Sequence, residues 1–315
     1  MTEGVEMPVQ DDSQGMGWLR DYPDFRDMAP TRERLGGVRL PEGEERDAPS
    51  LLAQLNVAEP AADSTLSQAV DLSSEFPPIE DQGSLGSCTA NAGVALVEYF
   101  ERKASGNHID ASRRFLYKAT RNLMGQTGDT GAFLRTTMQS MVLFGVPPES
   151  YWPYDISKFD EEPSAFCYAF GQSYKALQYY RLDPPATSRP DLLAHIKTVL
   201  SAKLPAMFGF TVYASYRQSF SNGGAIPFPL PGESKVGGHA VVAAGYDDAK
   251  QIANANGGQP TTGAILIRNS WSTRWGQLGY GWLPYDYVLR SLAVDWWSLV
   301  TSSWVDSNQF GLTGS

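Results

Sequence analysis

The spacing of apolar residues changes near residue 200, and that switch limits the architectures open to the chain. Before it, "SCTANAGVALVEYFERKASG" brings Ala92, Ala95, Leu96 and Tyr99 round at helical spacing, with Gly106 as a stop. "SRRFLYKATRNLMG" and "AFLRTTMQSMVLFG" read as two further helices, each ending at a glycine, and Pro190 and Asp191 suit the first turn of a fourth. After it, "AMFGFTVY", "HAVVAAGYDD", "GAILIRNSW" and "GYGWLPYDYV" are short, rich in β-branched or aromatic residues, and bounded by Gly, Asn and Pro. They read as strands. A helical half followed by a strand half implies an α+β protein with two packed lobes, and the cleft between lobes is a usual place for a site.

The front of the chain differs in composition. Residues 1–50 hold 12 Asp and Glu against 6 Arg and no Lys, so they carry −6 of the net −10. Only 15 of these 50 residues are apolar, so the stretch buries little by itself and is expected to be extended or draped over something else. Residues 1–65 are therefore set apart as a leader, and residues 66–315 as one domain with a helical lobe at about 80–175 and a strand lobe at about 176–295. The acidic balance argues against nucleic acid as a partner. No apolar run reaches the roughly 20 residues of a membrane span, and no secretory signal stands at the front, so no membrane role and a cytoplasmic location are expected. There is no paired Cys or His ligand spacing and no phosphate-cradling glycine loop; no cofactor or metal is expected.

Two cysteines in 315 residues make no disulfide framework, which fits a reducing compartment. Cys88 follows the glycine- and serine-rich run of "DQGSLGSCTANAG" and opens directly into a helix. A thiol works as a nucleophile only as thiolate, and the positive end of a helix favours that anion. A partner histidine would complete the activation. Of the three histidines, His108 lies in a polar connection and His195 in an amphipathic helix, both suited to an ordinary surface or half-buried role. His239, in "VGGHAVVAAGY", stands at the start of an apolar strand after two glycines, where a rigid element presents its ring. Asn269, at the end of the next strand, can orient that ring without adding charge.

"QGSLGSCTANA", "GGHAVVAAGY" and "NSWSTRWGQLGY", in that order, resemble the three signature blocks of the papain-like cysteine peptidases. The offsets from the cysteine are 239 − 88 = 151 and 269 − 88 = 181, near the spacing known for such Cys, His and Asn sets. The resemblance covers roughly residues 70–290 and implies a two-lobed α+β fold, a helical lobe and an antiparallel β-barrel-like lobe with the active-site cleft between them. It implies Cys88 as nucleophile, His239 as general base and acid, Asn269 as orienter, Gln82 as an oxyanion donor beside the Cys88 N–H, and Trp271 as a cover over the His239–Asn269 bond. It also implies that Gly131, in "TGDTGAFL", lets substrate backbone approach, and that Gly209 and Ala240 line the main specificity pocket, with room for a sizeable apolar side chain. "YWPYD" resembles a further block of the family.

The departures are informative. Leu85 stands where the family usually carries a disulfide-forming cysteine, as in a bacterial-type member without disulfides. Thr89 replaces the usual aromatic residue after the nucleophile, and Gly238 precedes the histidine where Asp or Asn is common. The usual helical leader motifs are missing. Instead "MGWLRDYPDFRDM" offers Trp18, Leu19, Tyr22 and Phe25 amid charge, and the leader is expected to cover the cleft as an intramolecular inhibitor. The reading is a monomeric cysteine endopeptidase acting on peptide or protein substrates through a thioester. An acyl transferase on the same scaffold and a catalytically silent peptide-binding member are the alternatives. Cys167 is expected to be a buried small hydrophobe.

Overall fold

The computed structural model describes residues 14–24, 27–31, 48–173 and 178–300. In chain order its elements are β1 (Trp18–Leu19), α1 (Ala48–Gln54), β2 (Ala69–Asp71), α2 (Cys88–Ser105), α3 (Arg113–Leu123), β3 (Ala132–Phe133), α4 (Leu134–Phe144), α5 (Ala165–Gly171), β4 (Gln178–Arg181), α6 (Arg189–Ser201), β5 (Ala206–Tyr213), β6 (Lys235–Ile252), β7 (Thr261–Arg268), β8 (Tyr280–Pro284), α7 (Tyr285–Leu289) and β9 (Ala293–Val300). Helix starts follow local chemistry. The Ser112 hydroxyl accepts from the Phe115 N–H to open α3, and Ser188 accepts from the Asp191 N–H ahead of α6, with Pro190 in its first turn. Gly106, at φ 77°, closes α2 in the left-handed conformation that glycine adopts without strain.

Helix α2 is the hinge of the architecture. Residues 88–100 are buried on every face, because α3 and α4 pack on one side and β6 on the other. The sheet runs β4-β9-β5-β6-β7-β8, with β2 also on β6, and all its pairings are antiparallel. No pairing joins β8 back to β4 among the described residues, so the expected barrel-like lobe is an open sheet. Helices and sheet meet along the line from Cys88 to β6, which is where a cleft between lobes must lie.

Two local expectations differ from the structure, and one strand carries no sequence signal. "GYGWLPYDYV" is a strand only to Pro284; Tyr285–Leu289 is the helix α7, turning the buried Tyr285 and Val288 onto one face. "AVDWWSLV" forms β9, which sequence periodicity does not reveal because all eight residues are buried and no alternation marks it. His195 is buried on α6, its Nε2 paired with the Val57 carbonyl at 2.8 Å. Among the described residues no helix is long and apolar enough to cross a membrane, and no cluster of His, Cys, Asp or Glu is arranged to hold a metal ion.

Candidate active site

Cys88 is the first residue of α2 and is fully buried; Ser87 precedes it without a side-chain cap. The turn in front of it is braced from three directions. Tyr154, from "YWPYD", donates to the Gln82 carbonyl at 3.0 Å and pairs with the Ser87 hydroxyl at 2.6 Å. Asn91 Nδ2 donates to the Ser87 carbonyl and hydroxyl, each at 3.0 Å. Asp129 accepts from the Gly86 N–H and from the Tyr117 hydroxyl, which in turn accepts from the Gly131 N–H. Asp129 thus ties the cysteine turn to the glycine of "TGDTGAFL", a link the sequence did not disclose.

His239 lies on β6 beside Ala240, whose backbone N–H lies against the Cys88 sulfur. Its Nε2 is 2.8 Å from Asn269 Oδ1. An amide oxygen accepts only, so Nε2 carries the proton and Nδ1 of the neutral ring is left as the basic nitrogen. Nδ1 is buried and has no hydrogen-bond partner among the described residues. Trp271 stacks on the imidazole, with centroids 4.5 Å apart and planes 24° from parallel, and Phe220 stacks on Trp271 at 5.9 Å. Trp271 is 2% exposed, so water does not reach the His239–Asn269 bond from that side. Phe220 was not anticipated.

Gln82 is held at both ends. Its Oε1 accepts from the Ser270 hydroxyl at 2.5 Å, and its N–H donates to the Ser270 carbonyl at 2.9 Å. The side-chain amide therefore points its Nε2 donors inward, to the Leu85 carbonyl at 2.9 Å and to the Gly15 carbonyl at 2.8 Å.

The last partner belongs to the leader, which runs through the site. The Gly15 N–H donates to the Gly83 carbonyl at 3.0 Å, and the Gly17 N–H lies against the Cys88 sulfur. The Gly17 carbonyl accepts from the Ala132 N–H at 2.8 Å, and β1 then pairs in parallel with β3. The approach is backbone on backbone: a β-carbon on Gly17 would overlap the Gly86 carbonyl, and one on Gly131, itself at φ 72°, would overlap that of Gly17. Trp18 enters a pocket where Gly209 pairs with Ala240, and its Nε1 donates to Asp295 Oδ2 at 3.1 Å. Beyond it, Arg135 binds Asp27 in a two-pronged pair at 2.7 and 2.8 Å and also pairs with Asp21. Arg181 donates its backbone N–H to the Met28 carbonyl at 2.7 Å. Of the leader aromatics, Phe25 falls outside the described residues, as do 1–13 and 32–47.

This cover alters the electrostatics expected at a helix start. Burial pushes the Cys88 thiol up to about 11, against the pull of neighbouring backbone N–H groups, and pushes His239 down to about 4 against its bond to Asn269. Under the leader, cysteine and histidine are both neutral. The expectation of a depressed thiol pKa does not hold in this state, because desolvation outweighs the helix end. Leu85, the residue in place of a disulfide cysteine, is buried and lends its carbonyl to Gln82; Cys88 and Cys167 are both free and buried.

Helices on one side, an open antiparallel sheet on the other, and Cys88, His239 and Asn269 where they meet define the class of two-lobed, papain-like folds. The family model described as papain family cysteine protease matches residues 66–288, and the chain belongs to that family. It is 35% identical over 222 residues to an uncharacterised peptidase C1-like protein of Acanthamoeba polyphaga mimivirus, covering 69% of this chain and 68% of the relative. Chymopapain of Carica papaya is 27% identical over 209 residues, with 64% of this chain covered and 50% of the relative, so the chain spans about half the length of that plant protein. Among solved structures, xylellain, a cysteine protease from Xylella fastidiosa, superposes with a TM-score of 0.68 at 30% identity, covering 92% of this chain and 97% of that one.

Proposed function

We propose that this chain is a cysteine endopeptidase with Cys88 as nucleophile, held latent by residues 14–31 of its own leader. Asn269 Oδ1, 2.8 Å from His239 Nε2, is the observation that carries this reading, because it fixes the tautomer that leaves Nδ1 free to take the thiol proton. When the leader lifts, water reaches both groups, the desolvation that separates their pKa values falls, and the proton passes from Sγ to Nδ1.

The thiolate then attacks the carbonyl carbon of a peptide bond. The oxygen that gains the electron pair is held by Gln82 Nε2 and the Cys88 N–H, donors preformed before charge develops. His239 gives its proton to the departing amine, the C–N bond breaks, and a thioester remains on Cys88. Water, deprotonated by Nδ1, attacks that thioester; Sγ leaves, regains its proton, and the acid product departs. Asn269 and Trp271 act by keeping the ring oriented and its bond dry.

The leader supports latency by what it occupies. The Gly15 carbonyl holds the amide of Gln82, Gly17 covers Cys88, the edge of β3 is spent on β1, and Trp18 fills the pocket at Gly209 and Ala240. A peptide substrate needs each of these surfaces.

Labelling with an epoxide-type thiol-protease inhibitor tests the assignment. The full chain should label slowly, the Trp18→Ala chain at least tenfold faster, and Cys88→Ala in either background not at all. Labelling at Cys167, or equal labelling of the first two chains, would overturn the nucleophile or the latency respectively.

A further inference from the structure

Resting on that function, we infer that the pocket beneath Gly209 selects a tryptophan side chain of the peptide substrate, with Asp295 as the specificity-determining residue that reads the indole N–H.

The pocket was expected to be apolar, and its floor is a buried carboxylate. Asp295 is fully buried on β9, and its two oxygens have separate partners. Oδ1 accepts from Trp297 Nε1 at 2.7 Å and pairs with Arg181 Nη1 at 3.2 Å. Oδ2 accepts from Trp18 Nε1 at 3.1 Å and from nothing else among the described residues. When the leader leaves, Oδ2 loses its donor while still facing the pocket. A buried acceptor without a partner carries a desolvation penalty, so a substrate side chain that supplies a donor at that depth is favoured over one of the same shape that does not.

The backbone is bent to aim this group. Asp295 has φ 64°, in the left-handed region, and the β5–β9 pairing slips register between Met207 and Gly209, opposite it. The kink is held by Asp183, whose carboxylate accepts from the N–H of Asp295 at 2.8 Å and of Trp296 at 3.0 Å. A bulge that redirects one side chain, in a conformation costly for a non-glycine residue, is a device found where a site needs it.

Size and charge narrow the choice to indole. The pocket admits Trp18 to 7% exposure because Gly209 and Gly238 have no side chains; a β-carbon on Gly209 would overlap indole Cε2, and one on Gly238 would sit 2.6 Å from the Trp18 carbonyl. A cationic side chain also has donors, but Arg181 already pairs with both Asp183 and Asp295, at 2.9 and 3.2 Å. A guanidinium or ammonium would lie beside that Arg181 charge in a fully buried place, at a desolvation cost that a neutral donor does not carry. An indole brings one neutral donor and fills the volume.

The test uses the full chain carrying Trp18→Ala, with a peptide library varied at each of the three residues before the scissile bond. At one position tryptophan should exceed phenylalanine by about 10- to 100-fold in kcat/KM. 1-Methyltryptophan, which keeps the shape and loses the N–H, should fall to the level of phenylalanine. Asp295→Asn, which tolerates the same backbone angle, should bring the tryptophan-to-1-methyltryptophan ratio within about twofold of one, because its amide cannot satisfy donors on both sides. Turnover without a tryptophan preference, equal rates for tryptophan and 1-methyltryptophan, or a preference for arginine would overturn the pocket assignment and leave the peptidase standing. No turnover of any peptide and no epoxide labelling of Cys88 would overturn the peptidase itself, and the pocket assignment with it.

Discussion

The indole of Trp18 rests on Gly209 so closely that no side chain fits between them. Leader and pocket are therefore matched at one atom, and Gly209→Ala should disturb the leader before anything else. Overpacking by a methyl costs about 1–3 kcal/mol in a filled site, and here the leader bears that cost. In the full chain, Gly209→Ala should speed iodoacetamide modification of Cys88 about tenfold over the parent, a reagent that does not use the pocket, yet add nothing to Trp18→Ala. Additive effects in the double variant would show that the two residues act apart.

Arg135 holds the far end of the leader through Asp27 and Asp21 and accounts for no contact with Cys88, His239 or Asn269. Arg135→Ala leaves Asp27 at 4% side-chain exposure with Arg181 at 3.5 Å as its remaining cation. Breaking one arm of a buried pair is destabilising, and the leader can relieve the loss by detaching. Limited proteolysis should then cut within residues 14–31 several-fold faster while residues 66–300 stay protected. Unchanged cleavage of the leader would count against the lock.

Gln82 separates a structural from a chemical role. In a chain carrying Trp18→Ala, Gln82→Ala should lower kcat by about 10²- to 10³-fold with little change in KM, the cost of losing one oxyanion donor. It also strips partners from Ser270 and the Leu85 carbonyl, so stability should fall by about 1–2 kcal/mol. A loss of stability with kcat intact would reduce Gln82 to a strut.

The three motif blocks were legible because each is short and contiguous: Cys88 opens α2, His239 lies near the start of β6, and Asn269 follows directly on β7. What joins the blocks was not. Asp295 lies in a strand with no alternation to reveal it, and its aim depends on a bulge fixed by Asp183, 112 positions away. The Arg135–Asp27 pair spans 108 positions and looks, in sequence, like two ordinary surface charges. The helix at Tyr285–Leu289 was misread because its aromatic spacing suits a strand equally well. Burial of Cys88 by the leader inverted the expected direction of its pKa, an effect that no local pattern carries.

Thiol chemistry reports on that inversion directly. With the Cys88 pKa at about 11, the thiolate is a minor species at pH 7, on the order of 100-fold scarcer than for a free cysteine. Iodoacetamide at pH 7 should leave Cys88 nearly untouched in the full chain and modify it at least tenfold faster after Trp18→Ala, as mass spectrometry of the peptide would record. Rapid modification of the parent chain would mean that Cys88 is not covered in solution.

Glu98 offers a test of the fold independent of the site. It is buried on α2, with Oε1 accepting from the Ala111 N–H at 2.8 Å, and burial pushes its pKa up to about 8, with Ala111 and Arg268 opposing. A carboxyl whose folded pKa lies above its unfolded value near 4.5 binds its proton more tightly in the native state. Its contribution is therefore full below pH 4.5 and is lost as pH rises toward 8. Glu98→Gln keeps the acceptor for Ala111 and removes the titration. The variant should match the parent at pH 4.5 and exceed it at pH 8 by on the order of 4 kcal/mol in urea unfolding. Parallel pH profiles for the two chains would mean that Glu98 keeps its charge in the core, with Arg268 compensating it fully.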